Sequence, residues 1–133
     1  MEEGFLDVII NTRRERAAMC TQNDLMNIAR DITAKALKVC PKVEKIILYG
    51  SYARGDNAPD SDIDIMIVIN DTEISVKKLR KKFSVISSDL GLKYDVLLSV
   101  LIRDKANFEK RKEYIPFYQN VINEGVEWYG RAA

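Results

Sequence analysis

Two apolar spacings alternate along this chain, and their alternation predicts an order of elements. Residues 5–19 (FLDVIINTRRERAAM) read as a first helix. After it, Leu25, Ile28, Ile32, Ala36 and Val39 recur every three or four positions, the spacing of one buried helix face. Thr21 with Asp24 three residues on forms a capping start, and Pro41 closes the segment. Residues 45–49 (KIILY) then form an apolar run with the length of a buried strand, and a second run opens at Asp62 as DIDIMIVI. Helical spacing returns over 74–90, with Val76, Leu79, Phe83, Ile86 and Leu90 inward and Gly91 as the expected stop. Residues 93–101 (KYDVLLSVL) read as a third strand, and a helix between neighbouring strands predicts a parallel crossover. A charged helix over 103–113 and a last helix from Pro116 to about 124 follow. The tail Val126, Trp128 and Tyr129 is apolar, and either docks on the core or forms an interaction patch.

These elements predict an α/β (α+β) fold: a small mixed sheet of three or four strands with helices packed mainly on one face. A chain of 133 residues is expected to be one domain over 1–133, with a helical segment over about 1–20 and C-terminal helices over about 103–133.

The turn between the first two strands carries the candidate chemistry. It reads GSYARGDNAPDSDID from Gly50 to Asp64. Side chains on a strand alternate between faces, so Asp62 and Asp64 share one face while Ile63, Ile65, Ile67 and Ile69 take the other. Two adjacent carboxylates repel, and a hard divalent cation, Mg²⁺ or Mn²⁺, offsets that cost. Gly50 permits close approach of backbone to a ligand, and Ser51 offers a hydroxyl and an N–H suited to phosphate. Taken alone, a Gly-Ser pair after a strand is an ordinary turn, and a D-x-D at a strand start is often a solvated strand end. Their occurrence on consecutive elements is the informative feature. Asp95 adds to it, because a carboxylate inside an apolar run needs a partner. A nearby lysine or a backbone N–H would serve. A cation shared with Asp62 and Asp64 on the adjacent strand accounts for it better.

Two rival motifs fail. Gly50 and Gly55 have Walker A spacing, but Asp56 and Asn57 stand where Lys and Ser or Thr are required. An EF-hand loop from Asp56 would need Gly at Ser61 and Glu at Ile67.

Charge and composition narrow the class. The net charge of +1, from 21 basic and 20 acidic residues, supplies no global pull toward nucleic acid. The runs Arg13, Arg14, Arg16 and Lys77, Lys78, Arg80, Lys81, Lys82 read as solvated helix faces. The chain contains no histidine, which excludes His-dependent triads and His zinc sites. Cys20 and Cys40 have no metal-ligand spacing and fit a reduced, cytoplasmic setting. The apolar run near Leu6 is broken by Asp7 and is neither a signal peptide nor a membrane span.

The set of Gly50, Ser51, Arg54, Gly55, Ser61, Asp62 and Asp64 resembles the nucleotidyltransferase superfamily of DNA polymerase β. In detail it is similar to the minimal nucleotidyltransferases (MNT), antitoxins paired with HEPN-domain toxins, and the closing FYQNVINEG is similar to their ends. The resemblance implies Asp62, Asp64 and Asp95 as the catalytic and metal-binding carboxylates, with two Mg²⁺ ions. It implies Gly50, Ser51 and Arg54 as the nucleotide-binding residues, with ATP as donor. It also implies AMP transfer to a tyrosine of a partner HEPN toxin. A non-catalytic antitoxin and a transferase for a small hydroxylated molecule, acting as a homodimer, stay open beside it. The chain has no room for primer- and template-gripping domains, so the acceptor surface is expected from another chain.

Overall fold

The protein, described here by a computed structural model, is defined over residues 21–131. The helix expected over 5–19, its arginine face and Cys20 lie outside the described residues. The order is α1 (Gln22–Val39), β1 (Val43–Tyr49), α2 (Ser51–Arg54), β2 (Ile63–Ile69), α3 (Glu73–Lys77), α4 (Arg80–Tyr94), β3 (Leu98–Asp104), α5 (Lys105–Arg111), α6 (Pro116–Glu124) and β4 (Val126–Gly130). One four-stranded sheet has the order β3-β2-β1-β4. β1 is antiparallel to both its neighbours, and β2 and β3 are parallel, joined through α3 and α4 as the crossover predicts.

Local chemistry accounts for several boundaries. The Thr21 hydroxyl accepts the Asp24 N–H at 3.2 Å, and the Asp24 carboxylate accepts the Thr21 N–H at 3.0 Å. This capping box starts α1. β2 is central and buried on both faces, which explains its almost unbroken apolar run. Its Ile63, Ile65, Ile67 and Ile69 pack with Leu25, Ile28 and Ile32 of α1 and Phe83, Ile86 and Leu90 of α4. Its Met66 and Val68 pack with Phe108 of α5 and Tyr118 and Val121 of α6. The two long helices therefore share one face, as expected, and two short helices cover the other.

The apolar tail docks on the core as the fourth strand, an edge strand with Leu48 opposite Val126 and Lys45 opposite Gly130, and Trp128 and Tyr129 pack against the buried cluster. One expectation needs correction. The third strand begins at Leu98 rather than at Lys93, because α4 continues to Tyr94. Tertiary contacts hold that extra turn: the Lys93 ammonium donates to Asp31 of α1 at 2.8 Å, and the Tyr94 hydroxyl donates to the same carboxylate. Gly91 therefore lies inside the helix, and the Val96 N–H returns to the Gly91 carbonyl at 3.0 Å. A Cβ on Gly91 would stand 2.8 Å from the Val96 carbonyl oxygen, so the closure needs glycine there. Asp95 takes the left-handed position that ends the helix, at φ 55° and ψ 49°.

That placement makes a prediction with a sign. Left-handed backbone costs a side-chain-bearing residue about 1–2 kcal/mol, less for Asp, whereas glycine in a strand interior loses about 0.5–1 kcal/mol. Asp95→Gly is therefore expected to raise the midpoint of denaturant unfolding. A strand position would lower it.

Candidate active site

The candidate site forms where β1 ends opposite the start of β2. The antiparallel register sets Tyr49 against Asp64, so the residue after Tyr49 comes up beside that carboxylate. Gly50 makes this contact possible. Its backbone has φ 76° and ψ −154°, a region open essentially to glycine alone, and a Cβ there would stand 2.4 Å from Asp64 Oδ2. α2 then begins at Ser51, whose hydroxyl and N–H make no hydrogen bond among the described residues. A cavity of about 400 Å³ opens at this junction. Tyr49, Gly50, Ser51, Arg54 and Asp64 form one side, and Phe117, Asn120 and Glu124 of α6 form the other.

Asp64 is half-buried and its carboxylate accepts no hydrogen bond or ion pair among the described residues. Burial pushes its pKa up, the neighbouring Asp62 charge adds to the rise, and Arg54 partly opposes it. Asp62 is exposed, immediately before β2. Tyr49 is pushed up to about 12, first by burial and then by the Asp64 charge, so it stays neutral. Its ring meets Phe117 edge-on at 5.7 Å between centroids, which walls the cavity. Arg54 borders the cavity but is engaged: its guanidinium donates to Asp56 and to Glu124, each at 3.1 Å. The site thus presents unneutralised carboxylate oxygens, and that donor set fits a hard divalent cation.

Of the sequence-predicted residues, the fold brings Asp62, Asp64, Gly50, Ser51 and Arg54 together. It does not bring Asp95 to them. Asp95 lines a separate cavity of about 850 Å³ beside α4, with Ser61 and Leu97 at its rim. Among the described residues no group of three acidic, histidine or cysteine side chains is placed to hold a metal ion. Asp62, Asp64 and Asp95 are thus not gathered into one such group among the described residues, and Asp95 stands at the helix end before the strand begins. Sequence reasoning passed over Asn120 and Glu124, which reach the cavity only through the docking of α6.

The nucleotidyltransferase domain family model matches residues 27–124, a span that contains the turn, the carboxylate pair and α6. This chain belongs to the nucleotidyltransferase domain family. Two curated relatives come from Methanocaldococcus jannaschii. "Putative protein adenylyltransferase MJ0604" is 36% identical over 107 residues, 80% of this chain and 99% of the relative. "Putative protein adenylyltransferase MJ0141" is 38% identical over 86 residues, 65% of this chain and 79% of the relative. Solved structures agree on the fold. A nucleotidyltransferase-like protein from Sulfolobus solfataricus aligns with a TM-score of 0.53 at 20% identity, covering 86% of this chain and 88% of that one. A toxin–antitoxin complex solved with AMP-PNP aligns with a TM-score of 0.50 at 23% identity, covering 77% and 73%.

Two outcomes follow for this nucleotidyltransferase. The raised folded-state pKa of Asp64 means that folding favours its protonated form. Its contribution to stability is present below the ordinary carboxylate value near 3.8 and is lost as pH rises through the folded value. Asp64→Asn is therefore expected to raise the melting temperature at pH 7 in EDTA, with the gain shrinking in acid. Gly50→Ala is expected to lower the melting temperature, and Gly50→Ala combined with Asp64→Gly to recover part of the loss, since the clash is with that carboxylate.

Proposed function

We propose that this nucleotidyltransferase transfers AMP from ATP to a tyrosine hydroxyl of a partner HEPN-domain toxin and so acts as an antitoxin. The observation that carries the reading is the contact of Gly50 with the Asp64 carboxylate, which sets a phosphate-binding turn directly against a cation-binding pair. The curated relatives are named as protein adenylyltransferases, and one neighbour of the same fold is a toxin–antitoxin complex with an ATP analogue. Both support a nucleotide donor and a protein acceptor. Exposed apolar side chains support it too: Tyr114, Phe117, Ile122 and Val126 are 61%, 41%, 44% and 46% exposed along the segment that walls the cavity.

In this mechanism the Ser51 hydroxyl and N–H bind phosphate oxygens at the start of α2. Asp62 and Asp64 would hold magnesium, which would neutralise charge on the triphosphate. The acceptor oxygen bonds to the α-phosphorus, the bond to the bridging oxygen breaks, pyrophosphate leaves, and the acceptor loses its proton. Tyr49 and Phe117 exclude water from the reacting phosphate, and Tyr49 adds no charge. Arg54 reaches phosphate only by leaving Glu124, a surface pair of small worth. Among the described residues no helix is long and apolar enough to cross a membrane, and Cys40 is a free, buried thiol. A cytoplasmic partner fits both, and the near-neutral charge gives no reason to invoke nucleic acid.

A non-catalytic antitoxin is the second reading, favoured by the separation of Asp95 from the pair. One experiment decides between them. The chain is incubated with ATP, Mg²⁺ and a purified HEPN-domain toxin, and the toxin's mass is measured. Added AMP that disappears with Asp62→Asn is the expected result. Unchanged mass, with the toxin still neutralised by Asp62→Asn, selects the binding module.

A further inference from the structure

Positive charge without a matching acid collects at the far end of β3. A cavity of about 260 Å³ opens there between α3, α4, β3 and α5, lined by Lys77, Arg80, Arg103 and Arg111. Two acids line it as well, and both are committed. Glu73 pairs with Lys77 at 3.1 Å. The Asp104 carboxylate accepts the backbone and side-chain N–H groups of Asn107 at 3.0 and 2.8 Å. Among the described residues, none of these three guanidiniums forms an ion pair with a carboxylate.

Two of the guanidiniums are anchored. Arg103 is half-buried and donates to the Tyr118 hydroxyl at 3.0 Å and to the Ile102 carbonyl at 2.8 Å. Arg111 donates to the same hydroxyl through a long bond of 3.5 Å. Two like charges thus converge on one buried phenol, an arrangement that costs repulsion and that an anion between them would offset. Tyr118 registers their field. Burial alone would raise its pKa, yet the hydrogen bonds from Arg111 and Arg103 hold it below the ordinary tyrosine value. The cluster stands away from the carboxylate pair. Arg103 lies across the ladder from Val68, which is roughly 13 Å along β2 from Asp64. The two cavities share no lining residue.

We propose that this cavity is a second anion site, which takes a small ion of one or two phosphate groups. The site does not depend on the transfer reading of the carboxylate pair. Planar guanidinium forks match phosphate oxygens, and three of them border the cavity. The distribution of charge sets the length of the ligand. An adjoining cavity of about 440 Å³ along β3 shares Arg80 and Arg103, but its other lining residues are serines and apolar side chains. A nucleic-acid backbone needs a track of cations and meets none there. Tyr118, which holds both anchored guanidiniums, meets Phe117 of the active-site wall edge-on at 5.4 Å. An anion bound here therefore braces α6, and it raises the melting temperature of the chain.

The test is a calorimetric titration of the full chain with pyrophosphate in EDTA, which keeps metal from the carboxylate pair. One saturable site is expected. Arg111→Gln and Arg80→Gln are each expected to weaken it by about tenfold, the loss of a charge-assisted hydrogen bond, with circular dichroism checking that each variant is folded. Arg111→Lys keeps the charge but loses the fork, and is expected to fall between Arg111→Gln and the parent. Lys81→Gln removes a charge from the same helix as Arg80 but outside the cavity, and is expected to bind like the parent. The proposal is overturned if the parent shows no saturable binding, or if Arg111→Gln and Arg80→Gln both bind like the parent. It is overturned equally if Lys81→Gln weakens binding as much as Arg111→Gln, which marks diffuse attraction. Loss of binding in Ser51→Ala but not in Arg111→Gln would put the ion at the Gly-Ser turn instead. Single-stranded RNA that binds more tightly than pyrophosphate, and loses that affinity in Arg111→Gln, would replace the small ion with nucleic acid.

Discussion

The carboxylate pair faces the Gly-Ser turn because the hydrophobic core leaves β2 no other register. Ile63, Ile65, Ile67 and Ile69 are fully buried toward α1 and α4, and Met66 and Val68 toward α5 and α6. Burial of each such side chain contributes about 1.5–3 kcal/mol. A slip of one residue would exchange the two faces of the strand and drive Asp64 into the α1/α4 layer as an unpaired charge. Two-sided burial thus fixes which face the carboxylates take. Pairing with β1 then fixes their height against Gly50. The site inherits its geometry from the core, and no hydrogen bond to Asp64 is needed to aim it.

The electrostatics follow from that geometry. Asp64 is held half out of water beside another carboxylate, a state that opposes folding at neutral pH. The nearest guanidinium, Arg54, gives only partial relief because Asp56 and Glu124 hold it. The fold therefore keeps the pair unneutralised, at the position where the proposed function would place a cation. Glu124 contributes twice, as a wall of the cavity and as the acid that withholds Arg54 from Asp64.

Most of this was legible where the signal is local. Strand alternation placed Asp62 and Asp64 on one face, helical spacing found the α1 and α4 stripes, and the Thr21–Asp24 box marked a true helix start. The errors lie where distant contacts decide. In KYDVLLSVL the boundary between helix and strand depends on Asp31, sixty-odd positions upstream, which holds Lys93 and Tyr94 in a last helical turn. Without that contact in view, Asp95 read as a strand residue, whereas the parallel ladder starts at Leu98 opposite Ile63. The short β4 was ambiguous because an exposed edge strand of five residues has no buried face to betray its period. Asn120 and Glu124 were invisible for a related reason: they carry no motif and reach the cavity only because Tyr118 and Val121 anchor α6 on the sheet.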